Sequence, residues 1–103
     1  MQFIQTECDR IFKELSMESD WNTVEVAAAR LAYYKSELNM IHPFREGNGR
    51  TVRLFIHAFA RSKSFVWDYS VLDREEYMNA MIQSVFDTTA LELVIKKNLQ
   101  KSI

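Results

Sequence analysis

Between His42 and Arg53 the chain reads His-Pro-Phe-Arg-Glu-Gly-Asn-Gly-Arg-Thr-Val-Arg, and this stretch holds its single proline and both of its glycines. Glycine permits positive φ and close approach of a ligand to the main chain, so chemistry is sought here first. Gly47, Asn48 and Gly49 lead straight into a helical pattern. A turn of this kind presents unpaired backbone amides at a helix N-terminus, where the dipole adds positive potential. Arg50 and Arg53 follow at i and i+3, on one side of that helix, and can fork onto phosphate oxygens. The competing reading is a solvated basic face after an ordinary loop.

The other side chains of the stretch have two readings each. Glu46 is either salt-bridged to neighbouring arginines or supplies the carboxylate oxygen that Mg²⁺ needs beside nucleotide phosphates. His42 is either structural or, with an imidazole near its ordinary pKa, a general base for a hydroxyl nucleophile. Phe44 is expected to anchor the loop to the core, and His57 to be packing or surface.

The elements that must position these residues are helical. Ile4, Cys8, Ile11, Phe12 and Leu15 mark an amphipathic helix over about residues 3–16, with Cys8 as a small buried hydrophobe. Asn22 and Glu25 form a capping-box pattern for a helix that runs to about Met40, its face set by Val24, Ala27, Ala28, Leu31, Tyr34 or Lys35, and Leu38. Pro43 ends it, because the residue before proline avoids helical dihedrals. The next helix starts near Asn48, with Val52, Phe55, Ile56 and Phe59 apolar and Arg50, Arg53 and His57 on another face. Residues 62–72 read as an irregular, buried crossover. Asp73 with Glu76 and Thr89 with Glu92 are two further capping boxes. The first opens a helix with the stripe Tyr77, Met78, Met81, Ile82 and Val85, the second a helix carrying Leu91, Val94, Ile95 and Leu99. No strand alternation is convincing. The expectation is an all-α bundle of about five helices, with the second and third central, forming one domain over residues 1–103.

Composition narrows the function classes. With 103 residues, 48% hydrophobic and 26% charged, the chain can bury a core without staples. Its one cysteine excludes an internal disulfide. No apolar run approaches a membrane span and no signal pattern opens the chain, so an intracellular soluble protein without a membrane partner is expected. The net charge of −1 hides an asymmetry: from His42 to Lys63, five Arg and Lys stand against Glu46 alone, a local +4 that leaves −5 for the remainder. A near-neutral domain argues against nucleic acid, whereas a local cationic cluster beside glycines suits a compact polyanion such as a nucleotide.

His42-Pro43-Phe44-Arg45-Glu46-Gly47-Asn48-Gly49-Arg50, with Arg53 after it, resembles the full signature of the Fic domain family, His-x-Phe-x-(Asp/Glu)-Gly-Asn-Gly-Arg-x-x-Arg, at every fixed position. The likeness extends from Leu38-Asn39 to the helix of Glu76 and Tyr77. It implies a protein adenylyltransferase, moving AMP from ATP to a Ser, Thr or Tyr hydroxyl of a target protein or of itself. In that role His42 takes the hydroxyl proton and Glu46 holds Mg²⁺ across the phosphates. Gly47, Asn48 and Gly49 stabilise the phosphates, Arg50 grips one beyond the α, and Arg53 reaches the γ. Kinase-like relatives lack the acidic position and the second glycine, so Glu46 and Gly49 favour nucleotidyl transfer. Bacterial cytoplasm, or delivery into a host, is implied by the same resemblance.

The pattern departs from the family in two places. No hairpin-like sequence precedes Phe3 where the target-docking flap of relatives lies. Thr88 to Glu92 fits the start of an inhibitory (Ser/Thr)-x-x-x-Glu-(Gly/Asn) motif, but Leu93 stands where Gly or Asn belongs, so Arg53 is expected to be free. Two rival functions remain open. One is a catalytically silent nucleotide-binding module acting through a partner that supplies or blocks what is missing. The other is transfer of UMP or another phosphate-containing group.

Overall fold

The computed structural model describes residues 2–41 and 48–102. Five helices appear in chain order: α1 Gln2–Ser16, α2 Val24–Ile41, α3 Asn48–Ser62, α4 Arg74–Gln83 and α5 Thr89–Lys97. Between α3 and α4 run a strand, β1 Phe65–Trp67, and a 3-10 turn, Tyr69–Val71; a second strand, β2 Leu99–Lys101, follows α5. Helix α2 is the axis of the fold, packed on α1, α3, α5 and β2. The α2 surface is lined by the small residues Ala27, Ala28, Ala32 and Ser36, all buried, which let its neighbours approach closely. Around it close Ile11 from α1, Val52 and Ile56 from α3, Phe65 and Trp67 from β1, and Leu91 and Ile95 from α5.

The five-helix expectation holds, and the crossover is more ordered than expected. β1 and β2 pair antiparallel, with Phe65 opposite Lys101 and Trp67 opposite Leu99. Phe65 and Trp67 alternate into the core while Val66 is half-buried. The ribbon clamps the end of α5 to the end of α3. Ser64, at φ 69°, makes the tight turn into β1, and its carbonyl accepts from the Ser102 amide.

Four local expectations shift. The α2 cap is Thr23, whose Oγ1 accepts from the Val26 amide at 3.1 Å, and not Asn22. Asp73 does cap α4, accepting from the Glu76 amide at 3.0 Å. At α5 the N-cap is Thr88 without a side-chain cap bond, so the box between Thr89 and Glu92 is not built; Asp87 accepts from the Thr89 amide and hydroxyl instead. Cys8 is half-buried instead of fully enclosed. The α4 stripe also faces elsewhere: Ala80 is buried and Tyr77 and Met81 pack on the core, but Met78, Ile82 and Val85 are more than half exposed.

A polar knot that the sequence did not announce ties α1 to α2. The Glu18 carboxylate accepts from Arg30, from Trp21 Nε1 at 2.8 Å and from the Tyr34 hydroxyl at 2.6 Å. Burial pushes this carboxyl up, but the hydrogen bonds from Arg30, Trp21 and Tyr34 outweigh it and hold it down at about 2.

Candidate active site

Helix α3 begins at Asn48, so Asn48 and Gly49 open a helix where the sequence pattern starts one. His42, Phe44, Glu46 and Gly47 lie outside the described residues. Arg50 and Arg53, one turn apart on α3, line the same groove of about 790 Å³, a volume in the range of small-molecule sites. One wall of the groove is α2, through Lys35 and Asn39; the floor includes Tyr69 from the 3-10 turn and Tyr77 from α4. The opposite wall is the exposed apolar stripe, Met78, Met81, Ile82 and Val85. The stripe that would have been core in an isolated α-bundle is therefore the apolar side of a half-cationic groove.

The electrostatics of this groove are one-sided. Arg74, at the start of α4, joins Lys35, Arg50 and Arg53 in its lining, and among the described residues no Asp or Glu lines it. The Arg53 guanidinium carbon lies over the Tyr69 ring, 4.6 Å from the centroid, a cation–π contact. Its Nε is buried and has no hydrogen-bond partner among the described residues. Lys35 is 1% exposed, with Nζ 5.3 Å from the Tyr77 centroid and 5.9 Å from that of Trp67. Burial, and secondly the charge of Arg53, bring its pKa down to about 8. Tyr77 is pushed up to about 12 by burial, with Arg53 pulling against it. Charges of one sign held in a low-dielectric groove, with a donor left unsatisfied, form a receptor for an anion with several oxygens.

Sequence reasoning had identified Arg50 and Arg53. It had placed Lys35 only as an alternative to Tyr34 on the core face of α2, and both turn out to be buried. Tyr69 and Tyr77 were read as core. His57 is packing, as expected: its ring meets Tyr69 edge-on at 5.4 Å, outside the cationic groove. Glu92, the residue of the inhibitory-motif fragment, accepts from Thr88 Oγ1 at 3.0 Å, and among the described ion pairs none joins it to Arg53.

The groove also bears on Mg²⁺. Among the described residues no cluster of His, Cys, Asp or Glu could hold a metal by itself. Glu46, the carboxylate that the sequence offers for Mg²⁺, lies outside the described residues.

Known proteins share first the fold. The BepC protein of Bartonella tribocorum, a VirB-translocated effector solved with bound AMPPNP, superposes with a TM-score of 0.88 at 20% identity, over 97% of this chain and 50% of that one. The chain belongs to the Fic/DOC family, which matches it over residues 2–60. It is 35% identical over 99 residues to the protein adenylyltransferase VbhT of Bartonella schoenbuchensis, covering 93% of this chain and 21% of that protein. It is likewise 35% identical over 86 residues to the probable protein adenylyltransferase y4lH of Sinorhizobium fredii, covering 81% of this chain and 45% of the relative. The chain thus spans between a fifth and a half of the length of these two bacterial relatives. Among the described residues no helix is long and apolar enough to cross a membrane.

Proposed function

We propose that this chain is the helical core of a protein adenylyltransferase, which moves AMP from ATP to a Ser, Thr or Tyr hydroxyl of a target protein or of itself. The observation that carries the reading is the groove itself, where Arg50 and Arg53 converge beside the N-terminus of α3 with no carboxylate among the described lining residues. The names of the relatives and the AMPPNP bound by the structural neighbour agree with it.

In this reading the amides of Gly47, Asn48 and Gly49 receive the α- and β-phosphates, Arg50 grips a phosphate beyond the α, and Arg53 holds the γ. His42 takes the proton from the acceptor hydroxyl, whose oxygen bonds to the α-phosphorus as the bond to the β-phosphate oxygen breaks and pyrophosphate leaves. Mg²⁺, held by Glu46, would neutralise charge building on the phosphate oxygens. Arg53 is held for that step by its contact with the Tyr69 ring.

Intact-mass spectrometry after incubation with ATP and Mg²⁺, alone and with cell lysate, tests the reading. A mass gain of one AMP on this chain or on a lysate protein, absent with His42→Ala, is expected. ATP binding without any adduct would replace the transferase reading with a silent nucleotide-binding module.

A further inference from the structure

Lys35 is the buried charge that the reaction above does not use. Among the described residues it is, with Ser36 and Ser84, one of three buried polar or charged side chains, and it is 1% exposed. A lysine at such depth normally has a carboxylate partner. The cations that do have carboxylate partners lie nearer the surface: Arg10 pairs with Glu7 and Glu37, Arg30 with Glu18, Lys96 with Glu25 and Lys97 with Glu76. Among the described residues no carboxylate lies within ion-pair distance of Lys35, Arg50 or Arg53. Arg53, which lines the same groove, is of like charge.

Packing alone does not account for a cation here. The slot between Trp67 and Tyr77 would accept a Met or Leu side chain of similar length, without the desolvation of an ammonium. The two aromatic faces offset only part of that cost. The Arg53 Nε, buried and without an acceptor among the described residues, is a second and independent sign that this end of the groove awaits oxygen atoms.

We propose that Lys35 is a third cationic ligand of the polyphosphate, acting with Arg53 on its terminal phosphate. The position follows from the helix. The amides that open α3 mark the near end of the phosphate chain, Arg53 lies one turn further along α3, and Lys35 lines the same groove as Arg53. Lys35 therefore serves the distal phosphate, and it makes the site count phosphates: a triphosphate reaches it and a monophosphate does not. Of the function proposed above, this inference uses only the identity of the anion as a nucleotide.

The test is equilibrium binding of ATP, AMP and inorganic tripolyphosphate to the wild type, Lys35→Met and Lys35→Arg, with thermal melting to show that each variant is folded. Lys35→Met should weaken ATP and tripolyphosphate about tenfold or more and AMP less than about twofold, and Lys35→Arg should recover part of the loss. Equal losses for ATP and AMP, or none for either, would overturn the proposal. In the wild type, Lys35 labelled with ¹³C at Cε should shift on addition of tripolyphosphate but not of AMP; an unmoved resonance with tripolyphosphate bound would overturn it without any variant. The two readings fail separately. Selective loss in Lys35→Met with no AMP transfer by the wild type would sink the transferase and leave Lys35 standing. AMP transfer together with unaltered ATP binding by Lys35→Met would do the reverse.

Discussion

Arg53 is held by an aromatic face, and this sets what it can do. A guanidinium held over Tyr69 at the groove loses less side-chain freedom when it meets a planar two-oxygen acceptor. Lysine cannot reproduce that fork: Arg53→Lys should weaken ATP binding about tenfold in a titration while leaving the fold intact. The face of Tyr69 matters more than its hydroxyl. Tyr69→Phe should bind ATP as the wild type does and Tyr69→Leu about two- to fivefold more weakly, since a cation–π contact contributes about 0.5–1 kcal/mol; equal losses in both variants would assign the effect to the hydroxyl. Arg50 and Arg53 were legible in the sequence because their spacing and their glycines are local. Tyr69 was not, since its place under Arg53 depends on where β1 turns the chain after α3.

The same division between local and distant causes runs through the elements. Helices α1 to α5 could be read from apolar periodicity and from breaks at Pro43 and Gly47, because each signal spans several turns. Strands of three residues are too short for alternation to show, and β1 exists because residue 99 returns to pair with Trp67. The α4 stripe was legible as an apolar face, but its neighbour is a groove, and no periodicity states what an apolar face meets. The start of α2 shows how fine the local code is, since Asn22 and Thr23 both have capping side chains and only Thr23 accepts from the first turn. Thr23→Ala should therefore cost about 1 kcal/mol in urea unfolding, whereas Asn22→Ala should change stability by only a few tenths. The opposite order would restore the box between Asn22 and Glu25.

Across the whole molecule, two charges of opposite sign, the half-buried Glu18 and the buried Lys35, make stability depend on pH in opposite senses. Glu18 has a folded-state pKa near 2, below its ordinary value of 4.5, so its contribution is complete above pH 4.5 and is lost as pH falls towards 2. Glu18→Gln should then cost about 2–4 kcal/mol at neutral pH in urea unfolding and soften the acid limb of the stability curve. Lys35 works the other way. Its folded-state pKa is about 8 against an ordinary 10.5, so between these values the unfolded chain binds more protons and stability rises with pH. Below pH 8 the folded protein carries the full unfavourable term, about 3 kcal/mol from the shift of the ammonium. Lys35→Met should consequently be more stable than the wild type in urea at pH 7, with a gap that closes as the pH is raised towards 10.5. A gap that persisted unchanged at the higher pH would show that methionine packs better between Trp67 and Tyr77, and that buried charge is not the cause. If the gap closes, the groove is a strained part of the fold at physiological pH. A bound polyphosphate would then relieve that strain and raise the melting temperature of the wild type more than that of Lys35→Met.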